Sequence, residues 1–160
     1  MIDQEIASVM HYILDCAEGA KPYYHNIPED FTVPAVFFPQ PEISSRGDTL
    51  HNYALEFSWF IKFFHETEQQ AYNMGFTALT SLQSGRNIVP LINHAGEPVG
   101  KGFRLNDPRL RVIADGTAQL FLSWDSCRPY DEPETQKMMR YHANLFVKTA
   151  FENAVRQNGG

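Results

Sequence analysis

Between Tyr53 and Phe63 every odd position is apolar: Tyr53, Leu55, Phe57, Trp59, Ile61 and Phe63. The even positions run Ala54, Glu56, Ser58, Phe60 and Lys62. Successive side chains of a strand point to opposite faces of its sheet, so six matches to a period of two predict an antiparallel strand with one buried face. A strand of this length reaches on the order of 40 Å, close to the diameter of a compact domain of this size. It must cross the whole molecule, bend, or project from it. With 160 residues the chain is long enough for one domain, 1–160, and 43% hydrophobic with 20% charged residues is the composition of a folded protein. Disorder, collagen-like repeats and coiled coil are excluded.

The other elements group around that strand. Ile2, Ile6, Val9, Ile13 and Cys16 recur at three- and four-residue steps and predict a helix over 3–17, with Asp3 and Glu5 in the first turn, where the helix dipole favours anions. Gly19 is its expected stop, and 20–30 reads as loop. A strand over 33–38 contains Pro34, which places it at an edge or delays its start. Residues 39–49 read as a polar connection. Thr67 with Gln70 three residues on predicts a capped helix over 67–83, with Ala71, Met74, Ala78 and Leu82 inward and Gly85 as its stop. A short strand over 88–92 carries Pro90, and 93–108 reads as a long hairpin arm or flexible loop. Strands over 110–114 and 118–124 flank Asp115 and Gly116, a two-residue hairpin signal. After a polar stretch, Pro133 opens a closing helix to about 156, with Met138, Tyr141, Leu145, Phe146, Thr149 and Ala150 on its buried face. The order α-β-β-α-β-β-β-α, with strands clustered rather than alternating with helices, predicts an α+β fold: an antiparallel or mixed sheet packed with helices.

Charge and cysteine usage narrow the function. The net charge of −6 argues against a free-standing nucleic-acid binder, whose affinity comes largely from neutralising phosphates. Residues 1–85 hold 3 basic and 11 acidic side chains, while 86–160 hold 10 and 8. Two unlike faces, each suited to the other on a neighbouring copy, would explain this asymmetry, as would chance. Cys16 and Cys127 are too few for a disulfide framework, and Cys16 fits a small buried hydrophobe. With no basic, apolar signal region and no run of 18 apolar residues, the expectation is a protein made in the cytoplasm that neither spans a membrane nor follows the usual secretory route.

No chemical motif survives inspection. Gly96 to Gly102 resembles a phosphate loop only superficially: the first glycine is one residue too close, and Gly102 stands where a metal-binding hydroxyl is required. His65 and Glu66 begin a zinc-protease pattern, but position 69 is Gln. His11, His25, His51, His65, His94 and His142 show no paired ligand spacing, no serine sits in a nucleophile elbow, and Cys127 has no catalytic signature. The expectation is no catalytic residue, no cofactor and no metal. Two features remain. Lys101, Arg104, Arg109 and Arg111 place four cations within eleven residues, offset only by Asp107; they form either a solvated arm or a basic edge that meets an acidic surface on a neighbour. Phe60 and Phe64 lie on the polar face of the long strand, where a second packed layer or a subunit contact would account for them.

In size and order of elements the chain resembles the tail terminator proteins of long-tailed bacteriophages, also called tail completion or head–tail joining proteins. The shared features are the N-terminal amphipathic helix, the proline-bearing strand from Val33 to Phe38, and the polar loop with Ser44, Ser45, Arg46 and Gly47. The long strand into a helix from Tyr53 to Leu82, the Asp115–Gly116 hairpin ending at Leu120 to Trp124, and a closing helix complete the match. The long 93–108 segment and the extended last helix depart from it. The resemblance implies a non-enzymatic virion protein, made in the bacterial host, that assembles as a ring of usually six copies on the tail-tube protein. The ring's other face meets the head-connector or neck protein, and DNA passes through without sequence-specific binding. It also implies partner contacts through 39–49 and 93–108, with Ser44, Ser45, Arg46, Lys101, Arg104, Arg109 and Arg111 as candidate interface residues, and an acidic lumen that does not hold DNA. Two rival readings are a subunit elsewhere in the virion neck and a small α+β ligand-binding or enzyme domain with a pocket lined by Phe57, Trp59 and Trp124.

Overall fold

The computed structural model describes residues 3–131. By its internal contacts the chain divides into Met1–Arg128 and Pro129–Gly160. Of the second unit only 129–131 are described, so the helix expected over 133–156 lies outside the described residues. The elements are α1 (Gln4–Cys16), β1 (Lys21–Tyr24), β2 (Ala35–Phe38), β3 (Glu42–Gly47), β4 (Asn52–Phe64), α2 (Glu68–Ser84), β5 (Ile88–Ile92), β6 (Pro98–Arg104), β7 (Asn106–Ala114) and β8 (Thr117–Pro129). The fold is α+β. One sheet has the order β1-β2-β4-β8-β7, with β3 also on β4, and β5 and β6 form a second, two-stranded sheet.

The alternation in β4 is realised from Phe57 onward; at its start Ala54 is buried, while Tyr53 and Leu55, expected on the buried face, are only partly covered. Phe57, Trp59, Ile61 and Phe63 are buried, while the even side chains from Glu56 to Phe64 are only partly covered. On β8 the even residues Ala118, Leu120, Leu122 and Trp124 are buried and join the same core. Burying each such side chain stabilises the fold by roughly 1.5–3 kcal/mol. The backbone N–H of His65 donates to the carbonyl of Gly116 at 3.0 Å, and Phe57 stacks on Trp124 with ring centroids 4.8 Å apart. The Cys127 thiol lies 3.7 Å from the Asp48 carboxylate near the far end. β4 and β8 therefore run antiparallel, with Phe60 across from Phe121, the two rings 5.1 Å apart.

Both helices and the β5–β6 hairpin cover the core face. Asp3 caps α1 by accepting from the N–H of Glu5, and Val9 and Ile13 point into the core. Glu5 does more than favour the helix dipole. Its carboxylate accepts from the buried Trp124 indole at 2.9 Å and from Ser126 Oγ at 2.8 Å, and Arg128 pairs with Asp3. Thr67 caps α2 by accepting from the N–H of Gln70, as expected. Its inner face is Ala71, Gly75, Ala78 and Leu82, with Met74 only partly buried. A Cβ on Gly75 would lie 2.5 Å from Leu110 Cδ1, so the missing side chain is what lets helix and sheet approach. The hairpin is strapped to α1 by Gln4 Nε2 donating to the Ile92 carbonyl and by the Ile92 N–H donating to Ser8 Oγ, at 2.8 and 3.1 Å.

Four expectations are corrected. The segment 20–30 contains β1, which runs parallel to β2, so the sheet is mixed. The polar stretch 39–49 contains β3, in register with β4 from Glu42 opposite Ser58 to Gly47 opposite Tyr53. Every residue of β3 is exposed, so there was no buried face to impose an alternation. The strand expected to end at Trp124 continues to Pro129, because Ser126 and Arg128 are held by Glu5 and Asp3 of α1 rather than by apolar burial. Cys16 is partly buried rather than fully so, and burial pushes its thiol pKa up. Pro34 precedes β2, and 93–108 forms a hairpin arm and the start of β7.

Candidate interaction surface

The candidate interface residues fall into three places. Ser44, Ser45 and Arg46 lie on β3, on the outer part of the sheet. Ser44 Oγ donates to Glu56 at 3.2 Å, and Arg46 pairs with Glu56 while also lying 3.6 Å from Asp48 and 3.5 Å from Asp125. The bond from Arg46, aided by Ser44, holds the Glu56 carboxyl below the usual carboxylate range, and the same bond holds the Arg46 guanidinium above its ordinary value. One cation thus serves three carboxylates, and this end of the sheet is acidic. Lys101 and Arg104 are exposed on β6, in the two-stranded sheet. Arg109 and Arg111 are exposed on β7, the last strand of the main sheet. The four cations of the basic run therefore do not form one edge; the fold splits them in pairs between two sheets.

Arg109 pairs across the ladder with Phe121, and Arg111 with Gln119. With Phe60 and Leu110 they line a groove of about 450 Å³ on the face of the main sheet away from α1 and α2. The aromatic floor is Phe60 against Phe121; Phe64 instead meets Phe31 at 5.0 Å. Neither arginine has a hydrogen bond or ion pair among the described residues. Along this face an acidic end (Glu56, Asp125, Asp48) is thus separated from a basic end (Arg109, Arg111) by an aromatic centre. The sequence pointed to Phe60 and the two arginines. Phe121 went unnoticed, because its place beside Phe60 depends on the pairing of β4 with β8.

The aromatics expected to line a ligand pocket are used differently. Phe57 and Trp124 are stacked in the core, and Phe103 closes over Trp124 at 5.6 Å. Trp59, itself buried, donates its indole N–H to the Pro39 carbonyl at 2.6 Å and borders a small groove of about 280 Å³ beside Met10, Phe38 and Ile43. Among the described residues no cluster of three or more His, Cys, Asp or Glu is placed to hold a metal ion, and no helix is long and apolar enough to cross a membrane.

No family model matches the chain. It is 34% identical to the uncharacterized protein YqbJ of Bacillus subtilis over 136 residues, covering 85% of this chain and 92% of that protein. The chain belongs to the YqbJ family. It is also 26% identical over 148 residues to the phage-like element PBSX protein XkdJ of the same bacterium, covering 92% of this chain and the whole of XkdJ.

Proposed function

We propose that this chain is a structural protein of a phage-type particle and acts there as a tail terminator: a ring of copies that caps the tail tube and joins it to the head connector. The observation that carries the reading is similarity to XkdJ, a protein of a phage-like element, along the whole length of that protein. The α+β architecture and element order that resemble tail terminators support the finer role. Two features suit a protein that works through its surfaces. Phe57 and Trp124 are consumed in the core, and Trp59, itself buried, only borders a small groove. The open sheet face carries charge of opposite sign at its two ends, which suits a head-to-tail contact repeated by rotation. Ser44, Ser45, Arg46, Lys101, Arg104, Arg109 and Arg111 are the residues proposed to meet neighbouring copies, the tail-tube protein and the connector.

The test is deletion of the gene in the strain that encodes the chain, followed by electron microscopy of the particles it produces. Tails of uncontrolled length and DNA-filled heads left unjoined are expected. Normal tails joined to heads would overturn the reading.

A further inference from the structure

The turn between β3 and β4 ends the acidic side of the sheet in an apolar point. Asp48 and Thr49 donate their N–H groups to the Asn52 carbonyl, and the Thr49 hydroxyl accepts from the N–H groups of His51 and Asn52, so the turn is fixed. Leu50 at its tip is 95% exposed, far more than any other large apolar side chain described. The arm behind it is held to the sheet by the β3–β4 ladder and by Arg46 reaching Glu56 and Asp125. Phe60 lies ten positions beyond Leu50, most of them along β4 and roughly 30 Å of chain, so the tip cannot fold back into the Phe60–Phe121 groove of its own chain.

We infer that the Leu50 tip of one copy inserts into the Phe60–Phe121 groove of the next, with the acidic end around Asp48 against Arg109 and Arg111. This rests on the proposed ring and names its contact. Tip and groove are different surfaces of one molecule, so the contact is head-to-tail, and such contacts close into rings when the rotation permits. Insertion takes an exposed leucine and a half-exposed aromatic floor out of water. It also gives two unpaired arginines the carboxylates they lack. A face-to-face pairing of two such sheets would leave both tips in water.

Sedimentation of the purified full chain over a concentration and salt series provides the test, with two surface variants whose folding is checked by thermal melting. Leu50→Asp removes the tip and leaves the groove; Arg109→Glu with Arg111→Glu reverses the groove rim and leaves the tip. The wild type is expected to form rings or short oligomers that weaken as salt rises. Each variant alone is expected to be at least tenfold weaker in self-association. An equimolar mixture of the two variants retains one working tip and one working groove, and is expected to give a dimer and nothing larger. Unchanged association of the Leu50→Asp variant, a mixture that stays monomeric, or a wild type that remains monomeric throughout would overturn the contact. Rings that persist in both variants would overturn it while leaving the tail-terminator reading to the gene-deletion test.

Discussion

The two faces of the β4–β8 pair are built from the same backbone and obey opposite rules. On one face Phe57, Trp59, Leu120, Leu122 and Trp124 are buried to the last few per cent, and the Glu5 carboxylate that reaches Trp124 is satisfied by an indole N–H and a hydroxyl. On the other, Phe60 and Phe121 remain half-covered between a cluster of carboxylates at one end and two unpaired arginines at the other. The first face has the composition of an interior, which specifies a fold. The second has a mixed aromatic and charged composition, which suits the contact surface proposed for it. The lesson is that alternation in a strand separates two jobs, and only one of them has to be complete within a single chain.

The sharpest way to break this contrast is to truncate one aromatic on each face and compare unfolding in urea. Trp59→Ala removes a fully buried ring and should cost about 3–5 kcal/mol. Phe121→Ala should cost much less, and equal losses would show that the open face is core as well. The Asp115–Gly116 turn that joins β7 to β8 is next in size. Gly116 has φ +69°, and a Cβ there would lie 2.7 Å from the His65 carbonyl oxygen. Gly116→Ala should therefore cost roughly 2–3 kcal/mol by thermal unfolding. Glu5→Gln can still accept from the Trp124 indole, but its NH2 must donate to Ser126 Oγ, so two charge-assisted bonds become neutral ones, which should cost about 1–2 kcal/mol. A change below that range would mean that water replaces the carboxylate.

The smallest effects belong to the open face. Arg109→Ala and Arg111→Ala, exposed and unpaired, should each leave unfolding free energy within about 0.5 kcal/mol. Glu56 gives a pH signature of its own. Its carboxyl is held low in the folded chain, first by the bond from Arg46 and then by Ser44. Its contribution is therefore complete above the unfolded carboxylate range and fades as the pH falls through the lower folded value. Side-chain NMR titration should show Glu56 protonating below the usual carboxylate range, and Arg46→Ala should raise it toward that range.

What could be read in advance follows the same division. β4 announced itself because one face is buried, and burial is what writes a period of two into a sequence. α1, α2 and the Asp115–Gly116 hairpin were legible from their caps, apolar spacing and turn residues. β3 was not, because a strand exposed on all sides carries no hydropathy signal. The end of β8 is illegible for a related reason: Asp125, Ser126, Cys127 and Arg128 look like a loop until their partners are in place, Glu5 and Asp3 at the start of α1 for Ser126 and Arg128, and Arg46 and Asp48 for Asp125 and Cys127. The candidate contact surface was half visible. Arg109, Arg111 and Phe60 stood out by type, whereas Phe121 and Leu50 acquire meaning only from the register of three strands and the shape of a turn.

The pairing of β4 with β8, thirteen residues each, has a mechanical consequence. Any tension applied through the hairpin tip runs along β4, parallel to the strand and perpendicular to its ladder of hydrogen bonds. The bonds are then loaded in shear, all at once, rather than peeled one at a time from an end. A girder laid lengthwise in this way yields far later than a zipper would.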